Sequence, residues 1–157
     1  MKINLTKKEY RLLLDVLQIA DWVMDSYHVD PPEETQPYRE LAQKFFAQAE
    51  EYGCQDLVEY DSATDTYYPA GELDFEGDWR KLMDEFVDFT FWDELMERLA
   101  ERDVIHEIGI EQYSEMEPFD RADKIGEVVE KYANEFEENG IKNIRIAGFP
   151  WAQIKKN

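Results

Sequence analysis

Cysteine is almost missing from this chain of 157 residues: Cys54 stands alone. That excludes an intramolecular disulfide framework and a zinc site built on cysteines. Histidine is nearly as scarce, with only His28 and His106. No apolar run reaches the length of about 18 residues that a membrane span needs, so no membrane partner is expected. Positive charge is also short, 17 Lys and Arg against 37 Asp and Glu, for a net charge of −20. Direct binding to nucleic acid or to an anionic membrane needs a basic surface and is not expected. The opening residues lack the order of a secretory signal, and a reducing cytoplasmic setting, as in a bacterial cell, is the expectation. There is no glycine-rich phosphate loop, dinucleotide fingerprint or nucleophile elbow, and Ser26, Ser62 and Ser114 lie in no catalytic pattern. Nothing here points to an enzyme or to a resident cofactor.

What is present is apolar and aromatic. Residues of these types make up 43% of the chain, with 14% aromatic, too much for a disordered acidic tail. The length suits one domain over residues 1–157. Thr6 followed by Glu9 is a capping box, and a long helix is expected from about Lys7 to about Tyr27. Its polar positions Arg11, Asp15, Gln18, Asp21 and Asp25 fall on one narrow stripe, and apolar residues take the rest of the circumference. A helix of that kind is contacted from several sides, so it is expected at the centre of the fold. The prolines at 31, 32 and 37 break the chain before a second helix from about Tyr38 to Tyr52, closed by Gly53. Val58–Tyr60 and Thr66–Tyr68 alternate as strands around the turn residues Asp61–Asp65. Glu72–Gly77 is expected to be an acidic connector. Two helices should follow, Asp78 to Asp88 and Phe91 to Glu107, the second capped by Thr90 and ended by Gly109. After one turn near Glu111–Glu115, the spacing of Ala122, Ile125, Val129, Tyr132 and Phe136 gives a last helix, starting at Pro118 or Asp120 and closed by Asn139-Gly140. Lys2–Leu5 and Lys142–Ile146 alternate as strands that the helices would bring together. The expected fold is α+β and predominantly α-helical: about five helices around a long central N-terminal helix, with a small antiparallel sheet from the chain termini and a middle hairpin.

Charge is unevenly spread. Residues 1–50 hold six basic and nine acidic residues, residues 51–100 three and fifteen, and residues 101–157 eight and thirteen. The middle third therefore carries most of the excess. An acidic ridge is expected along Asp84, Asp88, Glu94, Glu97 and Glu101, interrupted by Arg98 and Arg102. Glu135, Glu137 and Glu138 crowd the last turn of the final helix, where the helix dipole disfavours them by about 0.3–1 kcal/mol each. Charges that break a local rule are candidates for function, although acidic faces also serve solubility. Trp151 in the apolar tail Gly148–Trp151 would be an anchor for a partner if exposed, and otherwise a lid on the core. These residues point to a non-catalytic protein–protein interaction module: an inhibitor, immunity protein or regulator, monomeric or weakly dimeric, that docks a basic protein.

Both histidines follow an aspartate by three positions, Asp25 with His28 and Asp103 with His106. Residues three apart share a helix face, so each pair would offer an oxygen and a nitrogen to a metal. The alternative reading is thus a metal-binding helical protein, which needs the two pairs to converge. The competing explanation is that each histidine is steadied near a helix C-terminus by its aspartate. Asp74–Asp78 with Glu85 echoes a calcium loop, but Trp79 stands where the loop requires glycine.

The stretch Phe91-Trp92-Asp93-Glu94-Leu95, with Arg98-Leu99-Ala100 and Arg102-Asp103, resembles a motif of an uncharacterised family of small acidic bacterial proteins of unknown function. Leu5-Thr6 with Tyr10, and Tyr60 to Pro69, are similar to the same group. The resemblance implies no activity, substrate or catalytic residue.

Overall fold

The capping box forms as the sequence requires. The Thr6 backbone N–H and hydroxyl donate to the Glu9 carboxylate at 2.8 and 2.7 Å, and the Glu9 N–H donates back to the Thr6 hydroxyl at 3.3 Å. It opens α1, Lys7–Asp25. The structure, a computed structural model, describes residues 4–75 and 77–145, without the side chains of 74 and 75. The chain divides into two compact units, Met1–Asp88 and Phe89–Asn157.

In the first unit, α1 is followed by a 3-10 turn at Glu33–Thr35, α2 at Gln36–Phe46, β1 at Val58–Asp61, β2 at Thr66–Pro69, α3 at Gly71–Phe75 and the start of α4, Asp78–Ile108. Tyr10, Leu14, Phe46, Ala49, Cys54, Leu57, Leu73, Trp79 and Met83 form its core. The Tyr10 ring stacks on Tyr52 at 4.3 Å, and its hydroxyl donates to the Phe45 carbonyl at 2.5 Å. Burial pushes its pKa up to about 12. The Trp79 indole N–H donates to the Leu73 carbonyl at 2.7 Å, which ties α3 to α4.

Three expectations change here. First, α1 buries only Tyr10, Leu14 and Gln18, one residue per turn, while Leu12, Val16 and Val23 are about half exposed. Its broad apolar circumference is not covered within this unit, and Gln18, expected on the polar stripe, lies inside. Second, α2 takes Pro37 into its first turn, where a missing N–H costs nothing, and ends at Phe46. The residues through Gly53, including Glu50 and Glu51, are turns. Third, Gly71–Phe75 is a short helix and not a plain connector, held by the buried Leu73.

The hairpin falls at the expected place and pairs antiparallel, Val58 with Pro69 and Tyr60 with Tyr67. Asp61 organises its loop: its carboxylate accepts from the Ala63 N–H at 2.8 Å and the Thr64 hydroxyl at 3.1 Å. Among the described residues this hairpin is the whole sheet. Asn4 and Leu5 are not in a strand, and Lys142–Arg145 form a turn and coil. The remainder of the expected terminal pairing, Met1–Ile3 and Ile146, lies outside the described residues.

The second unit holds the rest of α4, α5 at Ile110–Glu115 and α6 at Pro118–Asn139. The expected break at Thr90 is absent. No glycine or proline occurs between Asp78 and Ile108, so nothing stops a helix of 31 residues. Gly109 does stop it, with φ 86°, and Gly140 closes α6 with φ 56°, both in the left-handed region that favours glycine. Ala100, Val104, Tyr113 and Phe136 are buried. Trp92 and Tyr132 pack on Phe136 with ring centroids 5.4 and 5.6 Å away. Polar contacts extend this small core. The Tyr132 hydroxyl donates to Asp103, and the Tyr113 hydroxyl donates to Glu101 at 2.6 Å.

One-sided burial of α1 gives a direct contrast. Leu14→Ala should lower stability by about 2–5 kcal/mol, whereas Val16→Ala should stay within about 0.5 kcal/mol. Urea denaturation of the two variants measures both; equal, large losses would mean that α1 is covered on its second face.

Candidate functional site

Glu94, Glu97 and Glu101 recur at spacings of three and four on α4, so they share one face. They form one wall of an open groove of about 650 Å³, together with Arg98. The opposite wall is a stripe of α6: Ala122, Ile125, Gly126 and Val129. Ile125 and Val129 are half-buried, and Ala122 and Gly126 are exposed. The groove thus has one apolar wall made partly of the smallest residues and one acidic wall.

The charges on that wall are not equivalent. Arg98 is held by its own helix, donating from Nε and Nη2 to the Glu94 carboxylate at 2.9 and 2.8 Å. Glu101 accepts from Tyr113, and that hydrogen bond raises the Tyr113 pKa. Glu97 has no partner among the described residues. Three carboxylates against one guanidinium leave the wall negative.

The other acidic positions are dispersed. Asp84 and Asp88 belong to the first unit, and the step of six residues from Asp88 to Glu94 breaks the rhythm of three and four, so the five acids do not make one stripe on α4. Glu135 accepts from the Asn143 side-chain amide at 2.6 Å, which relieves part of its unfavourable place at the end of α6. Glu137 borders a shallow apolar pocket with Trp92, Met96, Ala133 and Phe136. Glu138 is exposed. Trp151 lies outside the described residues.

The aspartate–histidine pairs are engaged elsewhere. α1 ends at Asp25, so His28 lies past the helix, and the shared helical face does not exist there. The Asp25 carboxylate accepts from the Thr35 hydroxyl at 2.8 Å and from Arg39 at 3.0 Å. Burial raises its pKa, but the Thr35 hydroxyl, Arg39 and His28 outweigh that and hold it below the usual carboxylate range. Asp103 accepts from Tyr132 and from Arg102, at 2.7 Å for the latter. The Tyr132 hydrogen bond, aided by Arg102 and His106 against burial, lowers its pKa. Among the described residues, no three His, Cys, Asp or Glu side chains are grouped to hold a metal.

A second cavity, of about 360 Å³, lies in the first unit between α1, α2 and β2. Gln18 and Asp21 line it from α1, and Arg39, Gln43 and Phe46 from α2. The Gln43 side chain grips β2 by both ends: its amide donates to the Tyr67 carbonyl at 2.8 Å and its carbonyl accepts the Tyr67 N–H at 2.7 Å. Gln18 is only 6% exposed and its amide has no hydrogen-bond partner among the described residues. Asp21 is exposed as a whole residue, yet packing around its carboxyl raises its pKa, with Asp25 adding to the shift and Arg39 opposing it.

Sequence reasoning found the acidic wall and missed its counterpart. The spacing of Ala122, Ile125 and Val129 marks the last helix, and periodicity does not say which residues of an apolar stripe stay uncovered. The glycine at 126, inside a strongly periodic helix, was the available signal.

The carboxylates give a pH signature with two opposite signs. Asp15 and Asp21 have raised folded-state pKa values, mainly from burial, so the native state binds more protons and gains stability as pH falls through those values. Glu9, Asp25 and Asp103 have lowered values, so their stabilisation is present above the unfolded pKa of about 4 and is lost as pH falls through the folded values. As pH is lowered from neutral, the melting temperature should first rise while Asp15 and Asp21 take up protons, and then fall as Glu9, Asp25 and Asp103 do. Asp21→Asn should flatten the rise, and Asp25→Asn should lower the melting temperature at neutral pH. Thermal denaturation followed by circular dichroism checks all three; a rise that Asp21→Asn leaves untouched would contradict the assignment.

Comparison of the chain with protein-family models, with curated proteins and with solved structures gives no match, so the resemblance carried by Phe91–Asp103 brings no family with it and function must be argued from the groove and the cavity themselves.

Proposed function

We propose that the chain is a non-catalytic protein–protein interaction module that docks a basic, amphipathic segment of a partner in the groove between α4 and α6. The carrying observation is the pairing of Glu94, Glu97 and Glu101 on one wall with Ala122, Ile125 and Val129 on the other. A helix with apolar residues on one face and Lys or Arg beside them matches both walls at once, the helix-in-groove mode of recognition. Ala122 and Gly126 are one turn apart, and their small side chains let another backbone approach closely. The chain's net charge of −20 supports the same partner, because it speeds encounter with a basic protein and discourages acidic ones. The cytoplasmic setting expected from the sequence belongs to this proposal.

Gly126 supplies an internal check. A Cβ built there meets nothing within 4 Å, and its backbone is ordinary helix. Gly126→Ala should therefore stabilise α6 by about 0.5–1 kcal/mol, measured by chemical denaturation. A bulky side chain at the same position would fill the groove beside Ala122, so Gly126→Phe should keep the fold and weaken binding.

Binding is tested by fluorescence anisotropy with a labelled 20-residue Leu/Lys amphipathic peptide at low and moderate salt. Affinity should fall with salt, and Glu94→Gln/Glu97→Gln/Glu101→Gln should weaken it about tenfold or more. The control Glu127→Gln/Glu130→Gln/Glu138→Gln removes the same charge from exposed positions outside the groove and should change affinity less than about threefold. Equal weakening by both triples would show that only net charge is sensed, and would remove the groove from the account.

A further inference from the structure

The cavity of the first unit has a feature that the docking reading leaves unused. Gln18 points a carboxamide, one donor group beside one acceptor, into a space of about 360 Å³ while being only 6% exposed. Every other polar side chain packed around that space from α2 is already engaged. Gln43 is fixed to both backbone groups of Tyr67. Arg39 donates to Asp25, to Thr35 and to the Pro32 carbonyl. The Gln18 amide has no hydrogen-bond partner among the described residues, and neither of its polar atoms is fully buried, so both are open to a ligand in the cavity. The cavity volume lies within the range of about 300–1,000 Å³ of small-molecule sites, which combine apolar walls with few placed polar groups.

We propose that this cavity is a binding site for a small planar ring that presents a hydrogen-bond donor next to an acceptor, and that is neutral or cationic. The donor–acceptor edge follows from the Gln18 carboxamide, which pairs with such an edge through two hydrogen bonds. The planar ring follows from the walls, which are Phe46, Tyr67, Tyr68 and Pro69. The charge preference follows from Asp21 at the rim and Asp25 beside it, against the single guanidinium of Arg39. Aromatic carboxamides and nucleobases both carry the required edge. This site lies in the first unit and does not rest on the groove reading.

The test is 1H–15N NMR of the full chain with nicotinamide, cytosine and, as the anionic counterpart, nicotinate. Nicotinamide or cytosine should shift the Gln18 side-chain amide signals together with the Ala42 and Tyr67 backbone amides. Response to nicotinamide alone assigns the site to carboxamides, to cytosine alone to nucleobases, and to both to the shared edge. Nicotinate, which lacks the donor and is repelled by Asp21, should give at least about tenfold weaker shifts. Gln18→Leu, and Gln18→Met as a second near-isostere, should abolish the shifts while keeping the melting temperature, because the amide makes no hydrogen bond within the protein. The groove triple variant should leave the shifts unchanged. Silence from both nicotinamide and cytosine, an equal response to nicotinate, or a loss of several degrees in both Gln18 variants would overturn the proposal.

Discussion

The first unit depends on the grip of one side chain on one residue. A hairpin of two strands is marginal in water, and both its strands are edges with unpaired backbone groups. Gln43 answers that problem for β2. Its carboxamide lies against Tyr67 as the peptide group of a third strand would, donating at 2.8 Å and accepting at 2.7 Å. That contact fixes β2 to α2. The α2 helix is in turn anchored at its end by the Tyr10 hydroxyl on the Phe45 carbonyl, and at its start by Arg39, Asp25 and Thr35. The cavity lined by Gln18 is the space left between these fastenings. It exists because the strand is held by a side chain and not by a further strand.

The second unit is built differently. Its described core is small, Ala100, Val104, Tyr113 and Phe136, and is extended by tyrosine hydroxyls that reach acids on α4. Two of the carboxylates that make the chain so acidic, Asp103 and Glu101, therefore have structural partners. Others on the same helix, Glu97 above all, face an open groove whose far wall is apolar. The acidic excess is thus of more than one kind. Net charge of either kind destabilises a compact state through repulsion, and it also governs which partners approach.

Much of the fold was legible in the sequence because its signals are local. The Thr6–Glu9 capping box, the turn residues Asp61–Asp65 and the terminating Gly109 and Gly140 each act within a few residues, and each works as their chemistry requires. The signals that misled are those whose outcome is set by distant packing. Thr90 looked like a cap, but without a breaker nearby the apolar neighbours carried the helix through it. Gln18 looked solvent-facing because a polar residue on a polar stripe gives no hint that α2 and β2 will close over it. Pro37 looked like a barrier and is a first-turn residue of α2. The candidate sites follow the same division. The carboxylates at 94, 97 and 101 are visible as a helical repeat, whereas the uncovered state of Ala122–Val129 and the unpaired amide of Gln18 are properties of three-dimensional contact.

The claim on which this account turns is that Gln43 replaces a missing strand at β2. Backbone hydrogen exchange at Tyr67 reports it most directly, since that N–H points away from β1 to a side chain and has no other partner. Slow exchange at Tyr67, comparable with the interior of α2 and lost in Gln43→Leu, is the expected result. Exchange at Tyr67 as fast as at the exposed loop amides of Ser62 to Asp65 would contradict it, and with it the origin of the cavity.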